Sequence, residues 1–198
     1  MLAEVKVLIQ GYTNADSVAT GGEEKTCCSI TLIKDNKNLI LVDPGVLANQ
    51  KILIDALKKE NLTVNDINFV FLTHSHPDHY MNAGLFAKAN QLEFYALWEG
   101  NVAKEWKQNF SENIEIIKTP GHEKTSLTFF VKTSKGIIAI CGDVFWKENF
   151  PNPPKNDPYA DEPNKLVESR KLILKKADYV IPGHGPMFKT NNSFLLQS

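Results

Sequence analysis

One short stretch of the chain decides its interpretation: Thr73-His74-Ser75-His76-Pro77-Asp78-His79. It follows an apolar run at 68–72 that is typical of a buried strand, so the histidines lie where a strand ends. On an extended backbone, residues two apart point the same way, and Pro77 keeps the residue before it extended. His74 and His76 can therefore hold one ion together. A helix is predicted over 81–89, so Asp78 and His79 lie at its entrance, where the chain has left the strand. Their side chains therefore point in a different direction from the first pair and can hold a second ion.

A plainer interpretation makes Asp78 an ordinary helix N-cap and the histidines surface residues. The rest of the chain argues against it. The other two histidines and an aspartate also follow strand-like runs, at 114–118, 179–181 and 137–141; these residues are His122, His184 and Asp143. Loops at one edge of a sheet converge on a single cleft, and imidazole and carboxylate groups are common metal ligands. The pattern predicts a metal site with enough donors for two ions.

The order of these residues resembles that of the metallo-β-lactamase-fold hydrolases: His-x-His-x-Asp-His at 74–79, then His122, Asp143 and His184. The resemblance extends over nearly the whole chain. It implies an α/β (α+β) fold, namely a four-layer αββα sandwich with two sheets face to face, helices outside and a dinuclear site at one edge. It also implies a ligand set: His74, His76 and His122 for one ion, Asp78, His79 and His184 for the second, and Asp143 as the bridge.

Asp43 ends another strand-like run, at 39–42. In the resembled family, an aspartate at this place orients the histidine-rich loop through hydrogen bonds without touching the metals, and the resemblance implies that role here. An Asx turn before Pro44 explains the residue equally well. Both interpretations stay open at this point.

Length and composition predict one domain over residues 1–198. The chain is 42% hydrophobic, enough for a sizeable core, and it is too short for an added flavodoxin domain or a large inserted cap. Its three cysteines make a poor disulfide framework, so reduced core thiols are expected. The first residues lack a basic start followed by an apolar segment, and no apolar run is long enough to cross a membrane, so the expected compartment is the cytoplasm.

Further elements follow from apolar spacing. Strands are predicted at 5–10 and 28–33, with a glycine-bearing loop through Gly21-Gly22 between them, and amphipathic helices are predicted at 47–60 and 164–177. The segment 149–163 contains five prolines and is expected to be stiff and non-helical; it could form a wall of the cleft, a dimer contact or a plain surface connection. The late helix carries a basic patch that is predicted to be a solvated face: Arg170, Lys171, Lys175 and Lys176.

Two ions that share a water predict the chemistry. They lower the pKa of that water, so a metal-bridging hydroxide attacks a carbonyl carbon or a phosphorus atom near neutral pH. Asp78 and Asp143 are the predicted catalytic residues, because they hold the ions and can pass the proton. Two divalent ions are the expected cofactors; zinc is favoured, and a carboxylate bridge also suits manganese or iron.

The substrate remains open between a carboxyl ester, thioester or amide and a phosphodiester. The resembled subgroup, the metallo-β-lactamase domain-containing proteins, includes a ribonuclease acting on histone pre-mRNA, which makes single-stranded RNA a candidate beside a small molecule. A formal net charge of −1 argues against strong binding of duplex nucleic acid. The sequence is also compatible with a glyoxalase II-like thioesterase, promiscuous β-lactam hydrolysis, an iron-dependent sulfur dioxygenase or a non-catalytic metal-binding module. The sequence also leaves open whether the protein forms a homodimer.

Overall fold

The apolar runs form two β-sheets in the structure, a computed structural model that describes residues 1–15 and 22–190. In sheet order, the first sheet contains β1 (Glu4–Ile9), β4 (Ile30–Asp35), β5 (Asn38–Val42), β6 (Phe69–Phe71), β7 (Asn90–Leu92), β8 (Leu97–Glu99) and β9 (Val102–Lys104). The second contains β10 (Ile114–Lys118), β11 (Leu127–Thr133), β12 (Gly136–Ile140), β13 (Tyr179–Ile181) and β14 (Phe188–Lys189). Two short strands, β2 (Tyr12–Thr13) and β3 (Thr26–Cys27), form a separate pair.

The α-helices of the described residues are α1 (Lys51–Lys59), α2 (Pro77–Tyr80) and α3 (Pro163–Lys176). In α1, Leu53 and Leu57 lie four residues apart and pack on the outer face of the first sheet. In α3, Leu166 and Ile173 lie seven apart and pack on the outer face of the second sheet. These two helices are the outer layers of the molecule.

Between the two sheets lies a core of branched aliphatic and aromatic side chains. Phe71 of the first sheet and Phe129 of the second are fully buried, and their ring centroids lie 5.0 Å apart. The layers therefore run helix, sheet, sheet, helix, which confirms the predicted αββα sandwich.

The helix predicted over 81–89 is wrong. The structure has the single turn α2 and then a 3-10 turn, Ala83–Phe86. Backbone groups that a continuing helix would use bond to the loop after β5 instead: Gly45 N–H donates to the His79 carbonyl, and Asn82 N–H donates to the Gly45 carbonyl. The helix predicted over 47–60 exists but begins only at Lys51.

Strand direction brings the predicted ligands to one edge. β5 runs parallel to β6, and β12 runs parallel to β13. β10 has the direction of β12, because both are antiparallel to β11. The carboxyl ends of these strands carry Asp43, His74, His122, Asp143 and His184. The glycine-bearing loop expected at Gly21-Gly22 falls partly outside the described residues.

The basic patch on α3 is not uniformly solvated, so the prediction for Arg170 is wrong. Its guanidinium is buried on the face of α3 that also carries Leu166, and it donates to the carbonyls of Val144 (2.6 Å), Pro151 (2.6 Å) and Phe150 (3.2 Å). Burial lowers the pKa of Arg170 to about 10, so the group remains charged at neutral pH. Arg170 therefore fixes the start of the proline-rich segment against the second sheet.

No helix within residues 1–15 and 22–190 is long and apolar enough to cross a membrane.

Replacing Arg170 with Met is expected to destabilise the fold. The substitution keeps much of the aliphatic packing but removes the donor of the buried carbonyls of Val144 and Pro151, which we expect to cost about 2–4 kcal/mol. The free energy of unfolding from urea denaturation measures the loss. Lys171→Met is the matched control, because Lys171 is the next residue of the same helix and is exposed. Equal losses in the two variants would contradict this account of Arg170.

Candidate metal centre

The seven predicted ligands meet at the edge of the sandwich in two groups. Within each group, one donor atom per residue lies within 4.8 Å of the others. The first group is His74, His76, His122 and Asp143, and the second is Asp78, His79 and His184. Six of the residues fall into the two sets that the family resemblance implies, and Asp143, the implied bridge, groups here with the first set.

In the first group, three imidazole nitrogens face one another. His76 Nδ1 lies 3.2 Å from His74 Nε2 and 3.0 Å from His122 Nε2. His76 has an extended backbone (φ −68°, ψ 137°) ahead of Pro77, as predicted, and this turns its ring beside that of His74. Nitrogens that share one zinc ion at about 2.0–2.1 Å lie slightly more than 3 Å apart, so the spacing suits a common ion.

The opposite nitrogen of each of these rings points to an oxygen. The pairs are His74 Nδ1 with Thr73 Oγ1 (3.0 Å), His122 Nδ1 with Asp157 Oδ2 (2.9 Å) and His76 Nε2 with Glu123 Oε1 (3.4 Å). A neutral imidazole has one N–H, and these oxygens place it on the outward nitrogen. Three lone pairs then converge on one point, which is the arrangement that a cation requires.

The second group repeats the pattern. His79 Nδ1 donates to Asp43 Oδ2 at 2.8 Å, and His184 Nδ1 lies 3.1 Å from the Cys27 carbonyl oxygen. Their Nε2 atoms therefore face inward. Asp78 lies in the second position of α2 rather than at the N-cap, which is His76, and its Oδ2 accepts a hydrogen bond from Thr26 Oγ1 at 3.0 Å.

Asp143 lies between the two groups. Its Oδ2 is 3.1 Å from His184 Nε2 and 3.5 Å from His122 Nε2, and its Oδ1 is 3.2 Å from His79 Nε2. The preceding Gly142 has φ +50°, and a Cβ there would lie 2.3 Å from Thr73 Oγ1, so only glycine fits this approach of the two loops. One buried carboxylate thus faces histidines of both groups.

Asp43 has the hydrogen bonds that the orienting role requires. One carboxylate oxygen accepts from Thr73 N–H at 2.8 Å, and the other accepts from Thr73 Oγ1 at 2.6 Å and from His79 Nδ1. Both oxygens are therefore directed at the histidine-bearing loop rather than at a local Asx turn.

Two carboxylates at the site were missed by the sequence reasoning. Glu123 follows His122 directly and accepts hydrogen bonds from the Ser75 backbone N–H (2.9 Å) and hydroxyl (2.8 Å). Asp157 lies in the proline-rich segment, 35 residues from the ring it contacts. Adjacency to a ligand was a signal for Glu123, whereas nothing in the local sequence marks Asp157.

The pKa values of the first group favour neutral rings. Burial, together with the neighbouring His79, holds the pKa of His74 well below its ordinary value. Burial and the neighbouring His122 also lower the pKa of His76. Neutral imidazole is the form that binds metals.

The second group and Asp143 attract positive charge. Burial opposes ionisation of Asp143, but His184 and His79 outweigh it and hold the carboxyl pKa well below its usual range. Burial likewise opposes a charge on His79, yet Asp143 and Asp43 hold its pKa well above the ordinary value. Protons or a divalent cation can supply the positive charge that this carboxylate-rich group requires.

Two buried polar atoms at the centre support a cation. His79 Nε2 and Asp143 Oδ1 face each other at 3.2 Å, and neither has a hydrogen bond of ordinary geometry within the described part of the chain. A buried polar atom without a partner is costly, and coordination removes that cost. The donor set, five imidazoles and two carboxylates, fits zinc and also manganese or iron.

Beside the centre lies an open cleft with a volume of about 230 Å³. Asp78, Asp143 and His76 reach it from the metal side, and the aromatic rings of Trp146 and Tyr159 line it with centroids 5.6 Å apart. Tyr159 and Asp157 belong to the proline-rich segment. Of the three roles that the sequence left open for this segment, the structure shows the wall of the cleft.

Sequence comparison identifies the family. The chain is 33% identical over 195 residues to metallo-beta-lactamase domain-containing protein 1 of Xenopus laevis, an alignment that covers 93% of this chain and 81% of the frog protein. The chain belongs to the metallo-β-lactamase superfamily. The sequence profile of that superfamily matches residues 27–108. Mammalian relatives of the same name are longer, and this chain spans 59% to 62% of their length.

Solved structures show the same fold. A metallo-beta-lactamase structure from Thermotoga maritima aligns with a TM-score of 0.74 at 21% identity, covering 96% of this chain and 100% of that one. AidC, a dizinc quorum-quenching lactonase in complex with its product, aligns with a TM-score of 0.65 at 19% identity, covering 83% of this chain and 74% of that one. The chain is thus a metallo-hydrolase by superfamily, and its histidine and aspartate cluster has the composition of a divalent metal site.

Asp157→Asn is expected to weaken metal binding. The amide lacks the charge that polarises the His122 ring, and loss of such a partner typically costs about 10–100-fold in metal affinity. Competition with a chromogenic chelator measures the change. Asp161→Asn is the control, since the carboxylate of Asp161 is exposed and accepts a hydrogen bond from Lys124 N–H away from the rings. Unchanged affinity in Asp157→Asn would show that the contact only supports the loop.

Proposed function

We propose that this protein is a dinuclear metal-dependent hydrolase of carboxyl esters, including lactones. The observation that carries the proposal is the inward convergence of seven donor atoms, with the outward nitrogen of every histidine facing an oxygen. His74, His76 and His122 would hold one ion, and Asp78, His79 and His184 the other. Asp143, which faces both groups, would bridge them.

When bound, a pair of divalent ions supplies Lewis acidity, which makes water acidic enough to ionise near neutral pH and stabilises negative charge on a carbonyl oxygen. The two aspartates have different roles in this chemistry. Asp143 is buried and fixes the relative position of the two groups. Asp78 lines the cleft and remains partly exposed, so it is the carboxylate placed to accept the proton of the attacking water and to pass it to the leaving group.

Several observations support a carboxyl substrate. The site has the metal-donor pattern of a superfamily whose structural neighbours include a lactonase. The case for single-stranded RNA as the substrate is weaker, because Arg170 of the expected basic patch is buried against backbone carbonyls and cannot contact phosphates. Zinc is the proposed metal, on the strength of the imidazole-rich donor set.

The purified protein is expected to bind two metal ions per chain. Elemental analysis after resupply with zinc, and in parallel with manganese, measures the stoichiometry. His79→Ala is expected to retain one ion, since the first group of donors is intact. A ratio of one or zero in the unsubstituted protein would overturn the dinuclear assignment.

Asp143→Asn is expected to reduce turnover more than stability. A neutral amide keeps the size of the side chain but bridges two cations poorly, so the second ion should be lost first and kcat should fall by about 10² or more, a loss comparable to that of other strong electrostatic contributions. Ester hydrolysis, metal content and the melting temperature are measured together. Full turnover with both ions retained would make Asp143 a turn residue only.

A further inference from the structure

The cleft is surrounded by carboxylates. Asp78 and Asp143 reach it directly, and Asp43, Glu123 and Asp157 lie behind the histidine rings. A sixth carboxylate, Glu24, lines the rim. Two divalent ions would bring four positive charges, and two cations behind the lining, Arg170 near Asp157 and Lys147 at the Thr13 carbonyl, bring two more. The six carboxylates are therefore balanced only when all of these cations are counted and the histidines are neutral.

Basic side chains are missing from the described lining of the cleft. Besides the ligands and Glu24, that lining consists of uncharged residues: Thr13, Ala15, Thr26, Pro77, Trp146 and Tyr159. The segments outside the described residues, 16–21 and 191–198, contain neither lysine nor arginine. Lys147, close in sequence to the lining residue Trp146, donates from its ammonium to the Thr13 carbonyl at 3.2 Å and does not line the cleft.

Glu24 is fixed at the rim by Tyr159, whose hydroxyl donates a hydrogen bond to its carboxylate. This contact joins the segment before β3 to the proline-rich segment across the mouth of the cleft. Tyr159 itself is 46% exposed, so its ring offers apolar surface to an entering molecule. The rim therefore combines an aromatic surface with a negative charge that has no basic neighbour in the described lining.

We propose that the cleft selects substrates by charge: it accepts uncharged and cationic carboxyl esters whose apolar part packs on Trp146 and Tyr159, and it discriminates against anionic ones. The inference rests on the proposed hydrolase function and adds the substrate class. A negative group on the substrate, outside the ester, would lie near carboxylates and would find no basic side chain in the described lining. Like charges within a few ångströms of each other repel appreciably at protein surfaces. An acidic thioester, a phosphodiester or a β-lactam carboxylate is disfavoured for this reason.

Three 4-nitrophenyl esters with the same leaving group provide the test: a neutral butyrate, an anionic hemiadipate, whose chain is too long for ready attack by its own carboxylate, and a cationic trimethylammoniobutyrate. Each kcat/KM of the zinc-loaded full chain is divided by the rate of hydroxide-catalysed hydrolysis of the same ester. The neutral and cationic esters are expected to exceed the anionic one by about tenfold or more. Glu24→Lys is expected to reverse the order of the cationic and anionic esters, and Glu24→Gln to narrow the difference between them.

Glu23→Lys is the matched control, because it makes the same change of net charge at the neighbouring exposed residue, which does not line the cleft. It should leave the order of the three esters unchanged.

The outcomes separate the two proposals. Hydrolysis with equal or greater rates for the anionic ester, or a Glu24→Lys profile equal to that of Glu23→Lys, overturns the charge selection and leaves the hydrolase standing. Inert protein that contains two ions overturns the proposed function and this inference with it.

Discussion

The site depends on oxygen atoms that face one nitrogen of every imidazole: four nitrogens have hydrogen bonds, and His76 Nε2 lies 3.4 Å from Glu123 Oε1. Each outward ring nitrogen faces an oxygen from a different part of the chain: a threonine hydroxyl, a backbone carbonyl or one of three carboxylates. Because the proton must lie on the bonded nitrogen, the opposite lone pair points inward. The fold thus determines the tautomer of each neutral ring, and the tautomer determines that the inward lone pairs converge.

Asp43 shows how the sheet enforces this arrangement. It follows the last residue of β5 and has φ +50°, a left-handed conformation that aspartate tolerates better than most residues. In that conformation, its two oxygens reach Thr73 and His79, which come from the loop after the neighbouring parallel strand β6. A single buried carboxylate therefore ties the position of α2 to the edge of the sheet.

The family resemblance predicted the layers, and buried apolar runs predicted the strands that end at the site. The structure brings the seven donor side chains together, and their role as metal ligands stays a prediction. Prediction from the sequence failed where long-range contacts decide. In the sequence, Arg170 is one of four basic residues on a predicted helix. In the structure, it lies on the same face as Leu166 and donates hydrogen bonds to backbone carbonyls. The helix expected over 81–89 breaks because Gly45, about 40 residues earlier, takes its backbone partners. Nothing in the sequence around Asp157 indicates that it contacts the site, because the contact forms only when the proline-rich segment folds back over His122.

The same carboxylates that orient the rings also set the electrostatic character of the cleft. Asp43, Glu123 and Asp157 are needed to polarise imidazoles, and their charges remain near the substrate whether or not they touch it. In a pocket without basic lining residues in the described ranges, these charges would offset those of the proposed metal ions and leave little attraction for an anion. The carboxylates that orient the histidines therefore also influence which substrates bind. A centre of this kind favours neutral molecules unless the rim of the cleft supplies a cation. Here the rim supplies Glu24, which strengthens the preference that the centre already creates.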